Sequence, residues 1–463
     1  MTSIAEKRTR ANTLAFALIS AIIIFTTLAY GAVHQPVLVV CYLLIGLAVI
    51  LWAADGFFAG RLTFSSSYLQ LPLLAYALYG FLQAIPFGSG DAASVADIPQ
   101  TISQQPHATL TTSVHLMILL LFFSASLALI DSATRIRRLA LVITVFGALF
   151  AFFAILQGVL SPSKIYGIYE RQFATPYGSF VNRHNFAAYM EMTIAIPLAL
   201  VFTGAIGRDK RLLYITGITL MGVALLLSGS RGGLVALLAE VALLLILTTS
   251  SRSAKGFALK LAMSAALLFA VIGGAIFVGG ESSLSRIAET AGSRDVSSNR
   301  THIWNVTLDV ITSALPFGAG IGAFDTAYTP YDTTSGLERV EQAHNDYLQV
   351  LADAGIPGLL IGSSFLFLLF LAARRTLRRQ NVFRRSVGIG AAAGIFAILV
   401  HSLFDFVLHT TAISVLFLLL IAILERCGHR YVDDIELAES AGRRGNNRRS
   451  GIVTTFRSRR RHS

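Results

Sequence analysis

The sequence is short of charge and of cysteine. Only 13% of its 463 residues are charged, whereas a soluble globular protein has about 25%, so a soluble fold is excluded. Hydrophobic residues make up 54% of the chain, which is typical of a protein that spans a membrane. The two cysteines, Cys41 and Cys427, are too few and too far apart to indicate a disulfide framework or a thiolate metal site.

Several motifs of known chemistry are missing as well. The segments predicted to lie outside the membrane contain no Asp-x-Asp pair and no His-Glu-x-x-His motif, so no metal or other cofactor is predicted. No P-loop is present, so the chain is not expected to use nucleotide energy itself. The net charge of +12 would suit nucleic acid, but its distribution follows a membrane topology, so no nucleic-acid partner is predicted.

What the sequence has in abundance is long apolar runs. Runs of about 17–23 residues are long enough to cross a bilayer as helices. The sequence therefore predicts an all-α, polytopic membrane protein with about twelve transmembrane helices. These lie near 14–30, 36–54, 68–87, 111–130, 138–160, 185–204, 211–228, 232–249, 257–278, 356–373, 386–404 and 410–425.

Basic residues predict the orientation of these helices, because Lys and Arg concentrate in cytoplasmic loops. If both termini are cytoplasmic, every inside loop carries a basic residue, and the tail from 426 to 463 becomes a basic, disordered cytoplasmic segment. Few cations remain on the outside, and because they depart from this pattern they are candidates for a functional role. They are Lys164, Arg171, Arg183, Arg231, Arg286, Arg294, Arg300 and Arg339.

The longest polar segment, from 279 to 355, is predicted to be a large outside loop with two amphipathic helices. The first begins after Ser298 or Asn299 and ends at Pro316, because Ser and Asn are good N-caps and proline ends helices. The second is predicted from about Glu338 to Ala354 and to stop at Gly355. Connecting loops of membrane bundles are usually short, so a loop of this size is expected to carry function.

Arg231 is the strongest single candidate for a functional residue. It stands in the sequence Ser228-Gly229-Ser230-Arg231-Gly232-Gly233, where glycines permit close backbone approach and a helix begins. A guanidinium beside the N–H groups of a helix N-terminus forms an anion site. The alternative is an arginine that reaches to the outer lipid headgroups.

His344 is the candidate general base, because histidine is mostly uncharged at neutral pH and can accept a proton there. On the predicted second loop helix, Glu341 lies one turn before it and could hydrogen-bond its ring, while Asp346 lies on a different side. The alternative is a polar helix residue satisfied by its neighbours.

The remaining candidate residues each have a functional and a structural interpretation. Arg300, with Trp304 one turn further on, could bind a phosphate or could cap the loop helix. Arg183 and His184, at the start of the sixth helix, could bind an anion or a sugar, or could make interfacial hydrogen bonds.

Three further features of the sequence are not assigned to the predicted site. Glu191 and Glu240 lie inside membrane helices, where they are costly unless they pair with an arginine or line a wet cavity. The glycines at 318, 320 and 322 predict a flexible turn.

In this order, several motifs resemble those of the O-antigen ligase and polymerase superfamily. They are Ser-Gly-Ser-Arg-Gly-Gly at 228–233, Asn299-Arg300 with Trp304, Pro316-Phe317-Gly318-Ala319-Gly320, His344-Asn345-Asp346-Tyr347-Leu348 and Gly355-Ile356-Pro357-Gly358. The resemblance covers about 180–360, and the helix plan extends it to most of the chain.

This resemblance implies a metal-independent, inverting glycosyltransferase of the bacterial inner membrane, with its active site in the periplasm. Its donor would be an undecaprenyl-diphosphate-linked glycan, and its acceptor the lipid A-core or another glycan. Arg231 and Arg300 match the arginines that engage the lipid diphosphate, and His344 matches the proposed base. Arg183 and His184 match the family pattern less closely.

Three alternatives stay open at this point. A polymerase of the same superfamily would share the donor and the site, with a growing lipid-linked chain in place of the acceptor core. A transporter of lipid-linked glycan would predict inverted repeats and charges at mid-membrane, and no repeat is evident. A membrane scaffold whose loop binds a partner would leave Arg231, Arg300 and His344 without a common purpose.

Overall fold

The structure is a computed structural model that describes residues 8–89, 99–170, 175–249, 254–292, 300–333 and 339–429. Fourteen α-helices are found in this part of the chain: α1 Arg10–Leu28, α2 Gln35–Ala59, α3 Gln70–Gln83, α4 Pro106–Leu129, α5 Ala133–Leu160, α6 Arg183–Thr203, α7 Arg208–Leu227, α8 Arg231–Thr248, α9 Ala254–Gly292, α10 Arg300–Ala314, α11 Phe324–Tyr328, α12 Asp346–Leu377, α13 Val382–His401 and α14 Thr411–Gly428. Two small antiparallel pairs join β1 Gly88–Ser89 to β2 Pro99–Gln100 and β3 Lys164–Ile165 to β4 Tyr169–Glu170.

The predicted all-α polytopic membrane fold is confirmed, with eleven rather than twelve helices in the described residues that are long and apolar enough to cross a membrane. The difference is α3, which was predicted near 68–87 and has only 14 residues. A helix of that length rises about 21 Å, which is less than the hydrocarbon thickness of about 30 Å. The basic tail predicted from 426 onward lies outside the described residues after 429.

The centre of the bundle is formed by α6 and α14, whose residues are almost all buried, together with α13, which is 67% buried. Glycines allow α6 and α13 to approach closely, because a Cβ atom at Gly390 would lie 2.6 Å from Cα of Ile196. Small residues at helix contacts are the usual means of close packing inside a membrane. Side chains at the ends of α6 and α13 are therefore held by a rigid, tightly packed core.

The long loop between α9 and α12 contains α10 and α11, which form a small apolar cluster of their own. One stripe of α10, made of Ile303, Val306, Val310 and Ile311, is buried against α11 and the start of α12. The Ser298 and Asn299 caps predicted for α10 lie outside the described residues.

The N-terminus of the second loop helix was predicted wrongly. The helix begins only at Asp346, because the side chain of Asn345 accepts hydrogen bonds from the N–H groups of Tyr347 and Leu348 and so caps the N-terminus there. The predicted stop at Gly355 is confirmed, because the backbone of that residue is non-helical and two helical segments of α12 meet there at a kink.

The three glycines at 318, 320 and 322 do not form the flexible turn that the sequence predicted. Gly318, Gly320 and Gly322 all have positive φ, and a Cβ atom at each would overlap a neighbouring segment. The buried side chain of Gln83 binds the same turn, donating to the carbonyl oxygen of Phe317 at 3.0 Å and accepting from the N–H of Ile321 at 3.0 Å. The turn therefore fixes the loop against the bundle.

The kink at Gly355 gives a first testable prediction. Gly355 has φ +56° and ψ −144°, and a Cβ atom there would overlap the carbonyl oxygen of Pro316. We expect Gly355→Ala to destabilise the protein by about 1–3 kcal/mol or more, since that backbone conformation is strained for any residue with a side chain. The measurement is the thermal unfolding temperature in detergent.

Gly362→Ala, in the same helix, is the matched control, because nothing lies within 4 Å of its Cβ position. That change should leave the unfolding temperature unchanged or raise it, since alanine favours helix. Equal unfolding temperatures for the two variants would contradict the packing role of Gly355.

Candidate active site

The carboxylate of Asp405 is the centre of the candidate active site. It lies in the turn that follows α13, and only 3% of its side chain is exposed. Nη2 of Arg300 lies 3.1 Å from Oδ2 of Asp405, and Nδ1 of His344 lies 3.1 Å from Oδ1. The backbone N–H of Phe406 also donates to Oδ1, at 3.0 Å. One buried carboxylate thus joins two of the residues that the sequence singled out, from the two ends of the long loop.

His184 brings a third segment to this carboxylate. Its Nδ1 lies 3.9 Å from Oδ2 of Asp405 and 2.9 Å from the hydroxyl oxygen of Ser230. Ser230 also caps α8, because its hydroxyl accepts a hydrogen bond from the N–H of Gly233. The N-termini of α6 and α8 and the C-terminus of α13 therefore meet at one end of the bundle, which we call the site end.

Arg231 and Arg183 lie beside this group. Arg231 is the first residue of α8, directly after Ser230, and its side chain is exposed. Nη1 of Arg183 lies close to the turn, 3.4 Å from the position that a Cβ atom would take at Gly229. The guanidinium of Arg183 therefore lies beside the turn before α8, and Arg231 begins that helix at the site end.

His344 has an unusual backbone conformation. Its φ is +50°, in the left-handed region, which costs a residue with a side chain about 1–3 kcal/mol and is concentrated at functional sites. The conformation is held from both sides, since the ring is bonded to Asp405 and the next residue, Asn345, donates to the carbonyl oxygen of Leu403 at 3.1 Å.

The structure corrects the predicted partners of His344. Because α12 begins only at Asp346, Glu341 is not on a helix with His344 and is exposed. Asp346 points elsewhere: its carboxylate accepts from the hydroxyl of Ser402 at 2.7 Å and is paired with His409. The residue that orients the ring of His344 is Asp405.

Trp304 lies on α10, one turn after Arg300, and is partly buried. Its indole N–H is buried and has no hydrogen-bond acceptor within the described ranges. The described contacts of Trp304 therefore do not indicate a function for its side chain.

Glu191 pairs with a histidine, not with the arginine that the sequence suggested. Nδ1 of His401 lies 2.9 Å from Oε1 of Glu191, and both side chains are fully buried. Nε2 of His401 has no partner in the part of the chain that the structure describes. Glu240 is fully buried as well.

Sequence reasoning missed Asp405 and His401, which close the predicted helix at 386–404. Both are ionisable residues at the end of a membrane helix, a placement that is itself a signal of function.

The pKa of Asp405 is lowered from its ordinary value. Burial opposes ionisation of this carboxyl, but the hydrogen bond from His344 and the charges of His184 and Arg300 outweigh that cost. The carboxylate is therefore ionised at every pH at which the protein is expected to work, and can hold Arg300 and His344 as charged or polar partners.

His184, His401 and Asp405 also bring potential metal-ligating atoms within 4.8 Å of one another. The arrangement does not fit a divalent cation well. The oxygens of Asp405 are already engaged by Arg300 and His344, at 3.1 Å each, and a guanidinium at that distance repels a second cation. The reaction proposed below therefore uses no metal ion.

The comparison with known families now bears on this geometry. Residues 216–363 match the family model described as O-antigen ligase. This match confirms the predicted resemblance to the O-antigen ligase and polymerase superfamily over that part of the chain. The matched range includes Arg231, Arg300 and His344, whereas His184 and Asp405 lie outside it. A comparison with curated proteins gives no match.

The matched family indicates a general chemistry. Its members are membrane enzymes of the glycosyltransferase type, which act on a lipid-linked glycan and a glycan acceptor. Around Asp405 this chain places guanidinium and imidazole side chains, which can bind an anionic group and accept a proton from a hydroxyl.

Proposed function

We propose that this chain is a metal-independent, inverting glycosyltransferase that moves an undecaprenyl-diphosphate-linked glycan onto an acceptor hydroxyl, as an O-antigen ligase does. The observation that carries the proposal is the pairing of Arg300 and His344 on one buried carboxylate, Asp405. The pairing places a cation for the leaving group next to a base for the acceptor.

His344 would act through Nε2, because Nδ1 is bonded to Asp405. With Nδ1–H donated to the carboxylate, Nε2 carries the lone pair that accepts the proton of the acceptor hydroxyl. The ionised carboxylate then stabilises the imidazolium that forms. General base catalysis of this kind contributes about 10²–10⁴-fold to a rate.

The transfer itself is a single displacement. The acceptor oxygen forms a bond to the anomeric carbon as the bond from that carbon to the diphosphate oxygen breaks, and the bonding electron pair stays on the diphosphate. A single displacement inverts the anomeric centre. Arg300 and Arg231 stabilise the charge that develops on the diphosphate, an effect of about 3–4 kcal/mol per well-placed donor.

The same placement supports a periplasmic site in the bacterial inner membrane, with both termini cytoplasmic. The helices α8 and α12 start at the site end with Arg231 and Asp346, and α12 ends at the opposite end beside Arg374, Arg375 and Arg378. The concentration of basic residues at that opposite end is the pattern of a cytoplasmic face.

The experiment that tests the function is a glycan-transfer assay in membranes from cells that make a lipid-linked polysaccharide. Arg231→Ala should lower transfer by about 10²-fold, because one donor to the developing charge is lost, and the lipid-linked donor should accumulate. Arg339→Ala is the matched control at equal expression. Arg339 is an exposed loop arginine that pairs with Asp325, away from Asp405.

The outcomes separate the candidate functions. Transfer to the lipid A-core would support a ligase, and extension of a lipid-linked polymer would support a polymerase of the same superfamily. Wild-type membranes that only move the donor across the bilayer would favour a transporter, and equal transfer by Arg231→Ala and the control would contradict the arginine's role.

A further inference from the structure

A second group of polar side chains lies near His344 and shares a ring contact with it through Phe406. The ring centroid of Phe406 is 4.8 Å from that of His344 and 6.3 Å from that of His409. We call the residues Phe406, His409, Asp346, His115 and Tyr42 the His409 cluster. Phe406 therefore connects the cluster to the proposed base.

The cluster is held in place by its own hydrogen bonds. Nδ1 of His409 lies 3.2 Å from Oδ1 of Asp346, whose other oxygen accepts from Ser402 at 2.7 Å. The hydroxyl of Tyr42 lies 2.8 Å from Nδ1 of His115. His115 in turn is close enough to His409 for their charges to interact. Four segments of the chain, on α2, α4, α12 and the turn before α14, thus bring hydrogen-bonding side chains together.

The imidazole of His409 is not fully covered by the protein. Its side chain is 37% exposed, whereas that of Asp346, which holds Nδ1, is 9% exposed. The side chain of His344 is 30% exposed as well. A ligand can therefore reach both imidazoles, on either hand of Phe406.

The sign of the charges decides which part of a substrate fits. Arg300, Arg231 and Arg183 lie on the His184 side of the site and suit a diphosphate. The His409 cluster instead contains the carboxylate of Asp346, a phenol hydroxyl and two imidazoles. Because the charge of Asp346 is paired with His409, these groups have no excess positive charge to bind a second diphosphate, whereas they match the alternating donors and acceptors of sugar hydroxyls. Phe406 offers an apolar wall of the kind against which a sugar ring packs.

We propose that the His409 cluster is the subsite that binds the acceptor saccharide and sets its reacting hydroxyl beside Nε2 of His344. This inference rests on the proposed function and assigns one substrate to one side of Phe406. His409 hydrogen-bonds the acceptor, Tyr42 and His115 complete the recognition, and Arg300 and Arg231 are left to the donor.

The pKa of His409 is consistent with this arrangement. Burial opposes its charge, but the hydrogen bond and the charge of Asp346 raise the pKa above the ordinary value. An imidazolium with one N–H on Asp346 can donate the other to a sugar oxygen.

The test measures binding without transfer. The purified wild-type protein in detergent is titrated, in the absence of donor, with core oligosaccharide released from lipopolysaccharide and, separately, with the released polymer repeat. His409→Asn should weaken binding of the accepted saccharide by about 10–100-fold, since a hydrogen bond to a charged group is lost. Tyr42→Phe should weaken it less, by about 3–10-fold. His107→Ala, an exposed histidine on the same helix as His115, is the control.

Each result has a defined meaning. Wild-type binding of either saccharide that His409→Asn weakens and His107→Ala does not would support the subsite, even if no transfer were ever seen and the proposed function failed. Wild-type binding that survives in His409→Asn would overturn it, as would failure of the wild type to bind either saccharide. Among variants that do transfer, a raised KM for the acceptor with an unchanged KM for the donor is expected, and a raised KM for the donor would also overturn it.

Discussion

Asp405→Asn is expected to lower the rate of glycan transfer by about 10²–10⁴-fold, the range seen when a base loses the carboxylate that orients it. Asparagine keeps the shape of the side chain but not its charge. It therefore cannot hold Arg300 and the ring of His344 as Asp405 does, at 3.1 Å each. The measurement is the initial rate of transfer in membranes at matched expression.

His344→Ala and the double variant complete this prediction. If Asp405 acts through His344, the double variant should lose hardly more activity than the worse single variant, because residues that act as a unit are not additive. Asp325→Asn is the matched control, since that loop carboxylate pairs with Arg339. A rate for Asp405→Asn equal to that of the control would show that Asp405 does not support the base.

The dependence on pH follows from the lowered pKa of Asp405. A carboxyl whose pKa is lowered in the folded protein stabilises it above the ordinary value of about 4 and loses that effect only as the pH falls through the lowered value. The contacts of Asp405 are therefore fully present from about pH 5 upward. The lowering of the thermal unfolding temperature by Asp405→Asn should accordingly be the same at mildly acidic and at neutral pH, and unfolding scans in detergent at the two pH values measure it.

Arg300→Lys is expected to lower transfer by about 10²–10³-fold, although the charge is kept. One nitrogen of the Arg300 guanidinium is used by Asp405, and the planar group has further N–H donors for a diphosphate. A lysine ammonium is a point charge on a flexible stem and cannot bind both partners in a fixed geometry. The loss should fall on the rate of the chemical step more than on donor affinity, because the charge on the leaving group develops during transfer.

The control for this variant is Arg339→Lys, a loop arginine paired with Asp325 at the surface. It should transfer glycan at the wild-type rate. If Arg300→Lys also transfers at that rate, Arg300 serves only to hold Asp405, and the role in stabilising the leaving group passes to Arg231 alone.

Local patterns predicted most of the helices. The apolar runs near 185–204 and 211–228 became α6 and α7 within a few residues, because a membrane span is fixed by length and hydrophobicity. The N-terminus of α12 was predicted wrongly because the helical spacing of apolar residues continues through 338–345 in the sequence. Capping by Asn345 and the left-handed backbone of His344 ended that continuation. Both depend on contacts with the turn after α13.

The sequence by itself determined that this chain is an all-helical membrane protein, that Arg231, Arg300 and His344 are its candidate reactive residues, and that their motifs resemble those of the O-antigen ligase and polymerase superfamily. Only the tertiary structure decided that Asp405 joins Arg300 to His344, that Glu341 stands apart and that His409 is partly exposed beside Phe406. The reason is physical. Hydrophobicity and charge act along the chain and can be read locally, whereas a buried carboxylate gains partners only where distant segments meet.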